Sequence, residues 1–216
     1  MKRKFQHIAY LLMVAAVLTS CGEKKQISEF PDWAWADFQR PEGINPIVSP
    51  DTTTVFYCPM RQDSVAWESS DTFNPAATIY DGKVVVLYRA EDNSAVGIGS
   101  RTSRLGYAYS DDGLHFNRMT VPVFYPADDN QKELEWPGGC EDPRVAVTND
   151  GLYVMLYTQW NRKQARLAVA TSRDLQIWEK YGPAFAKAYG GRFFDEFSKS
   201  ASIVTKLVDG KQVIAK

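Results

Sequence analysis

The residues best suited to chemistry lie in segment 138–144 (GGCEDPR), where Glu141, Asp142 and Arg144 set two carboxylates and a guanidinium close together. Pro143 fixes its own φ and biases the preceding residue, Asp142, toward extended backbone. Neighbouring side chains of an extended strand point to opposite faces, so one carboxylate is expected to face a site while the other braces the loop. Taken alone, the four-residue motif Glu-Asp-Pro-Arg is more typical of a charged surface turn, and its neighbours in the sequence change that balance.

A related pattern occurs 68 residues earlier in the chain. Segment 73–77 (FNPAA) places Asn74 before a proline, at the position that Asp142 occupies in the later segment. Segment 87–92 (LYRAED) adds Arg89 at the end of the next β-rich run. These polar residues fall where the innermost strand of a propeller blade would face the central channel, and a small ligand is expected to bind there.

The elements that must position these side chains are predicted to be short β-hairpins. Three pairs of β-rich runs are separated by Asp-Gly turns: 76–80 with 84–88, 145–148 with 153–157, and 202–206 with 213–215. The first two hairpins are each followed by a further strand and a Ser-x-Asp turn that an aromatic residue closes, and these turns begin at Ser110 and Ser172. A four-stranded unit that recurs at this interval predicts an all-β propeller, with an irregular β-sandwich as the alternative.

The third unit stops at Lys216, inside its second predicted strand. A propeller shields its strand edges by closing the ring. The chain is therefore expected to be an incomplete copy of a longer protein, with residues 41–216 forming the first two to three blades.

The N-terminus predicts export and lipid attachment. A basic start at residues 2–4 precedes a short apolar run, 8–18, which has the length of a signal-peptide core. The run ends in Leu-Thr-Ser before Cys21, which resembles a bacterial lipobox. We expect residues 1–20 to be removed, Cys21 to be lipidated and residues 21–40 to serve as tether and lead-in. The predicted location is the outer membrane, periplasm or surface of a Gram-negative bacterium.

Composition excludes several functions. The 25 Lys and Arg residues nearly balance 26 Asp and Glu residues, so no basic field for nucleic acid is expected. Of the two histidines, only His115 lies beyond the predicted signal peptide, which argues against histidine catalysis. No spacing of Cys and His indicates a metal site, and no cofactor is expected. Cys58 and Cys140 could form a disulfide or remain as buried thiols.

Five motifs in order resemble glycoside hydrolase family 130: segments 73–75, 87–89, 103–106, 110–113 and 141–144. The resemblance implies a five-bladed β-propeller that acts on β-mannosides as a hydrolase or as a phosphorylase. It further implies that Asp142 is the general acid and that Asn74 and Arg89 hold the mannosyl residue. The other charged residues assigned to substrate binding are Glu141, Arg144, Arg104 and Lys199.

Segment 190–199 (GGRFFDEFSK) is expected to decide the reaction type. Inverting hydrolysis needs a second carboxylate to activate water, and Glu196 is the predicted base. Burial between the neighbouring aromatic residues would raise the pKa of Glu196. Arg192 and Lys199 could instead bind phosphate, as a phosphorylase requires, or the acids could belong to a solvated turn. Export favours β-1,2-mannosidase-like hydrolysis, because a sugar phosphate released outside the cytosol is lost. A non-catalytic glycan-binding propeller is the third alternative.

Overall fold

The structure is a computed structural model that describes residues 39–209 and 211–215. The predicted signal peptide, Cys21 and most of the predicted tether lie outside the described residues. Residues Pro41–Lys216 form one compact unit.

The regular secondary structure of the described residues is almost entirely β-strand, as the turn pattern predicts. In chain order the strands are β1 Phe56–Cys58, β2 Asp63–Val65, β3 Asp71–Tyr80, β4 Lys83–Glu91, β5 Ser103–Ser110, β6 Asn117–Arg118, β7 Gly139–Val147, β8 Tyr153–Trp160, β9 Ala165–Ser172, β10 Glu179–Pro183, β11 Thr205–Val208 and β12 Lys211–Ile214. Two short helical turns join them: α1, Lys132–Glu135, and a 3-10 turn, Ala188–Gly191.

Strands β3 to β6 form the first blade, and β7 to β10 form the second. Within each blade every strand pairs antiparallel with the next. Between the blades only Ser103 and Gly139 are paired, in a parallel bridge. Strands β11 and β12 form a third hairpin, and β1 and β2 form a fourth. The predicted all-β class is confirmed, and the third hairpin forms between Thr205–Val208 and Lys211–Ile214, where the sequence predicted 202–206 with 213–215.

The Ser-x-Asp turns at the ends of β5 and β9 have the same hydrogen bonds. In each turn the serine hydroxyl lies within hydrogen-bond distance of the aspartate, 2.8 Å for Ser110–Asp112 and 3.0 Å for Ser172–Asp174. In each, the aspartate Oδ1 accepts two backbone N–H groups further along the turn. This local pairing satisfies the backbone where the strand ends, and it fixes where the last strand of each blade begins.

A hydrophobic core holds the two blades together. Leu87 and Leu105 of the first blade share one buried cluster with Met155 and Tyr157 of the second. The Phe124 ring meets Tyr157 edge-on, with 4.7 Å between ring centroids. Each such side chain contributes about 1.5–3 kcal/mol when it is fully buried. The packing sets the innermost strands, β3 and β7, beside each other.

Two further observations bear on the sequence predictions. Cys58 and Cys140 are free and buried, so the structure matches the second of the two alternatives for the thiols. Within the described part of the chain, no helix is long and apolar enough to cross a membrane.

Candidate active site

The site is built on two β-bulges, one at the start of each innermost strand. The register of β3 against β4 shifts between Phe73 and Ala76, and that of β7 against β8 shifts between Glu141 and Arg144. Within these bulges Asn74 has a φ of 45° and Asp142 a φ of 51°. Both lie in the left-handed region, which Asn and Asp tolerate better than other non-glycine residues.

This geometry corrects the sequence-based expectation for the second motif. Asp142 is not extended, although it precedes a proline. The bulge bends the strand locally and re-aims the side chain. As a result, the carboxylates of Glu141 and Asp142 do not diverge to opposite faces, and both contact the same guanidinium, that of Arg89.

Arg89 is the centre of the cluster and is only 2% exposed. Its Nη1 donates to Asp142 at 3.0 Å, and its Nη2 donates to Glu141 at 2.8 Å and to Glu91 at 2.5 Å. Its Nε donates to the Ser103 hydroxyl at 3.0 Å. The Phe73 ring lies against the guanidinium, with 4.5 Å from Cζ to the ring centroid. Arg89 thereby cross-links the two blades.

Asp142 also receives a hydrogen bond from the first blade's own bulge. The side-chain amide of Asn74 donates to Asp142 Oδ1 at 2.9 Å. The same oxygen accepts the Arg89 hydrogen bond. The structure therefore brings Asn74, Arg89 and Asp142 together within the span of a few hydrogen bonds.

The segment that leads to the third hairpin also reaches this cluster. Lys199 Nζ donates to Glu141 Oε2 at 2.6 Å and lies 3.4 Å from Asp142 Oδ2. Unlike Arg89, its side chain is 44% exposed. Lys199 and Asn74 are thus the exposed members of the cluster, whereas Arg89 is enclosed.

The two neighbouring carboxylates have pKa values displaced in opposite directions. Burial raises the pKa of Glu141 above its ordinary value, although the charges of Arg89 and Lys199 oppose the shift. Burial also acts to raise the pKa of Asp142, but the hydrogen bond from Asn74 and the nearby charges of Arg89 and Lys199 together outweigh it, and the pKa is lowered. Asp142 is therefore ionised at neutral pH while these contacts persist.

The cluster has a formal excess of one negative charge when all its groups are ionised. Glu91, Glu141 and Asp142 face Arg89 and Lys199. Arg101 Nη1 lies 3.6 Å from Glu91 but is itself paired with Asp71. Both cations of the cluster are therefore already matched to carboxylates. Across the described residues, no group of three or more His, Cys, Asp or Glu side chains could hold a metal ion.

The predicted burial of Glu196 is wrong in this structure. Glu196 is exposed, and its side chain forms no hydrogen bond or ion pair with any described residue. Phe197, which was expected to cover it, is 67% exposed. Its neighbour Asp195 instead pairs with Arg166 at 2.9 Å, which ties this segment to β9.

Arg104 and Arg144 are not brought to the cluster, although both were predicted to bind substrate. Arg104 pairs across the strands with Ala90, one position away from the Arg89–Leu105 pair, so it lies on the opposite face of the blade. There it is fully buried and donates to Asp92 at 2.9 Å. Arg144 donates to the neighbouring carbonyl of Pro143 at 2.7 Å.

Glu91 and Ser103 belong to the cluster and were missed as site residues. Glu91 follows Arg89 by two positions on β4, and Ser103 is its cross-strand partner on β5. The sequence could have indicated Glu91, because residues i and i+2 of a strand share a face and Glu91 follows Arg89 by two positions. Glu91 Oε2 is buried and has no hydrogen-bond partner among the described residues.

Two blades that share a carboxylate and guanidinium cluster where their innermost strands begin define part of a β-propeller with a polar candidate site. The profile of glycoside hydrolase family 130, described as β-1,4-mannooligosaccharide phosphorylase, matches residues 39–216. The chain belongs to this family.

Individual relatives agree with this assignment. The chain is 36% identical over 152 residues to the 1,2-β-oligomannan phosphorylase of Thermoanaerobacter sp. (strain X514), and the match covers 68% of this chain and 46% of that protein. It is 99% identical to a Bacteroides thetaiotaomicron VPI-5482 protein, provisionally described as a glycosidase, whose crystal structure superposes with a TM-score of 0.85 and covers 88% of this chain.

A second solved structure is 69% identical, covers 87% of this chain and has a TM-score of 0.85. It belongs to work stating that the family of mannoside phosphorylases contains glycoside hydrolases that target β-1,2 mannosidic linkages in Candida mannan. This chain covers 54% and 52% of the two solved chains, so it spans about half the length of the relatives it matches.

Proposed function

We propose that this chain supplies the proton-donating part of a site that cleaves β-linked manno-oligosaccharides, with Asp142 as the general acid. The observation that carries the proposal is the convergence of Asn74, Arg89 and Asp142 from two blades, within 3.0 Å hydrogen bonds. A carboxyl group held beside a neutral amide and a fixed guanidinium can bind sugar hydroxyls and donate a proton.

A proton donor must first acquire a proton, and the contacts of Asp142 oppose this. In the proposed reaction, a sugar hydroxyl takes the place of Lys199 beside Asp142. Replacing a cation with a neutral hydroxyl raises the Asp142 pKa, because the charge of Lys199 stabilises the ionised carboxylate. Substrate binding thus prepares the acid for its role, while Arg89 remains fixed by Glu91, Glu141 and Ser103.

For the nucleophile, the named relatives favour phosphate. The matching family profile is described as a phosphorylase, and so is the Thermoanaerobacter relative. These relatives support phosphorolysis better than the predicted export supports hydrolysis. In phosphorolysis, phosphate attacks the anomeric carbon, the glycosidic bond breaks, and the leaving oxygen takes the proton that originates from Asp142.

Hydrolysis is the second candidate, and two observations favour it. The 69% identical structure comes from work on hydrolases within the family. In addition, the cluster already has three carboxylates against two cations, and an incoming phosphate dianion would meet this excess of negative charge. A neutral water molecule meets no such repulsion.

One assay separates the reactions. The chain and, in parallel, the longer 99% identical Bacteroides protein are incubated with β-1,2-mannobiose, with and without inorganic phosphate. Phosphorolysis yields α-mannose 1-phosphate only when phosphate is present, and inverting hydrolysis yields α-mannose without it, as nuclear magnetic resonance can show. Asp142→Asn should abolish either product. A protein that binds mannobiose but releases no product under any condition would overturn the enzyme assignment and favour a glycan-binding role.

The cellular context is a separate proposal, supported only by the N-terminal sequence. We propose that Cys21 is lipidated and that the mature protein is anchored to a membrane outside the cytosol. Metabolic labelling with a palmitate analogue should mark the parent protein and fail to mark Cys21→Ser. Equal labelling of both proteins, or of neither, would contradict the anchor.

A further inference from the structure

A third residue repeats the backbone conformation that defines the site. Ser200 has a φ of 53°, close to the values of 45° at Asn74 and 51° at Asp142. In all three cases the preceding residue belongs to the cluster around Arg89. These preceding residues are Phe73, which lies against the guanidinium, Glu141, which accepts from it, and Lys199, which pairs with Glu141.

The position of Ser200 in the chain strengthens this equivalence. Asn74 and Asp142 each lie at the start of an innermost strand and lead into a hairpin. Ser200 likewise precedes the hairpin of β11 and β12. Ser200 itself lies before β11 begins at Thr205 and not within a bulged strand, so the third repeat shares the backbone conformation and the order along the chain with the first two.

Serine has a weaker reason than Asn or Asp to adopt left-handed backbone, and a side chain with a β-carbon is strained there. Such strain is commonly retained where a side chain has a binding role. Ser200 is exposed, and its hydroxyl forms no hydrogen bond with any residue that the structure describes. A free hydroxyl offers one donor and two acceptor positions, which suits a sugar hydroxyl.

We propose that Ser200 is a third substrate-binding residue, whose Oγ hydrogen-bonds a hydroxyl of the mannoside on the Lys199 side of the cluster. The proposal rests on the mannoside-cleaving function proposed above. Asn74, Asp142 and Ser200 would then be equivalent positions of three successive blades that face one ligand. Phosphate is not the proposed ligand of Ser200.

The variant Ser200→Gly tests the proposal without imposing strain. Glycine adopts positive φ readily, so the change removes Oγ and relieves the backbone at the same time. We expect the KM for β-1,2-mannobiose to rise about 5- to 10-fold, the loss typical of one hydrogen bond, with kcat within about 2-fold of the parent and the melting temperature unchanged or higher. Ser200→Asn, which also tolerates this backbone, serves as a second variant and should retain part of the affinity.

The matched control is Gln62→Gly. Gln62 also has a φ of 53° and is exposed, but it lies between β1 and β2. The Gln62→Gly variant should leave the KM for β-1,2-mannobiose unchanged. An unchanged KM in Ser200→Gly, or a rise confined to the apparent KM for phosphate, would overturn the proposal.

Asp142→Asn, assayed beside these variants, separates this proposal from the proposed function. If Asp142→Asn is inactive and Ser200→Gly is normal, only the Ser200 assignment fails. If the parent binds mannobiose without cleaving it, the enzyme assignment fails. The role of Ser200 is then tested by comparing the Kd for mannobiose of the parent with that of Ser200→Gly, and equal Kd values would overturn the Ser200 assignment. A parent that neither binds nor cleaves mannobiose overturns both.

Discussion

The Asn74 amide donates a 2.9 Å hydrogen bond to the Asp142 carboxylate across a separation of 68 residues. Each residue lies in a bulge at the same point of its own blade, with nearly the same positive φ. A repeated backbone irregularity therefore places a neutral amide from one blade against a charged acid from the next. The same bulge occurs in both blades, but it carries Asn in one and Asp in the other, and this difference creates the candidate site.

Replacing Asp142 with Asn should remove the proton donor while keeping the shape of the side chain. We expect kcat to fall by about 10²–10⁴-fold, the usual contribution of general acid catalysis. Binding of mannobiose should persist, because Arg89 and Asn74 remain. Asp111→Asn is the control, since Asp111 is an exposed residue that pairs with Lys83. Equal turnover in the two variants would rule out Asp142 as the acid.

Replacing Asn74 with Ala should change the pH dependence of the reaction. The Asn74 hydrogen bond lowers the Asp142 pKa, so its loss raises that pKa. Because the acid acts in its protonated form, activity falls as pH rises through this pKa, and the alkaline limb of kcat/KM should move to higher pH. The exposed Asn117→Ala should leave the profile in place. A limb that stays or moves to lower pH in Asn74→Ala would contradict the role of this hydrogen bond.

Replacing Arg89 with Met should destabilise the fold as well as abolish activity. Glu91, Glu141 and Asp142 would lose their shared buried partner, and breaking such pairs costs about 3–5 kcal/mol. Loss of the Arg89 charge would raise the folded-state pKa of Glu141 and Asp142, and groups with a raised pKa stabilise the fold at low pH and lose that effect as pH rises. Urea denaturation should therefore show a smaller difference from the parent at about pH 5 than at about pH 7.

The surface variant Arg61→Met, which changes an exposed arginine, should match the parent at both pH values. If Arg89→Met showed the same unfolding free energy as this control, the ion pairs around Arg89 would contribute nothing to the stability of the two-blade unit.

Local sequence patterns predicted the fold well because its turns are encoded locally. Asp81-Gly82 and Asn149-Asp150-Gly151 close the first two hairpins, as expected from residues that accept positive φ. The Ser110 and Ser172 turns likewise depend on hydrogen bonds between residues two or three apart. Such interactions need no knowledge of the rest of the chain.

The arrangement of the site depends on pairings that local patterns do not encode. The proline rule predicted extended backbone at Asp142, but the bulge and the contact with Arg89 override it. Arg104 was assigned to the site although its strand register places it on the other face, and the sequence does not give that register. Glu196 was expected to be buried by neighbouring aromatic residues, but adjacency in sequence did not produce packing.

The close approach of Gly139 to Ser103 gives a last test of how the blades position the site. Gly139 has a φ of 116°, and a β-carbon there would lie 2.2 Å from the Ser103 carbonyl oxygen and 2.5 Å from its nitrogen. Because backbone atoms cannot move aside as a flexible side chain can, Gly139→Ala should separate the blades locally. Ser103 would shift, and with it the hydroxyl that accepts from Arg89.

Gly151→Ala is the matched control, with a φ of 79° and no atom within 4 Å of the added carbon. It should lose only the cost of left-handed backbone, about 1–2 kcal/mol. Gly139→Ala should lose about 1–3 kcal/mol more through overpacking, with a parallel fall in activity. Equal unfolding free energies in the two variants would show that the contact between Gly139 and Ser103 does not hold the blades in register.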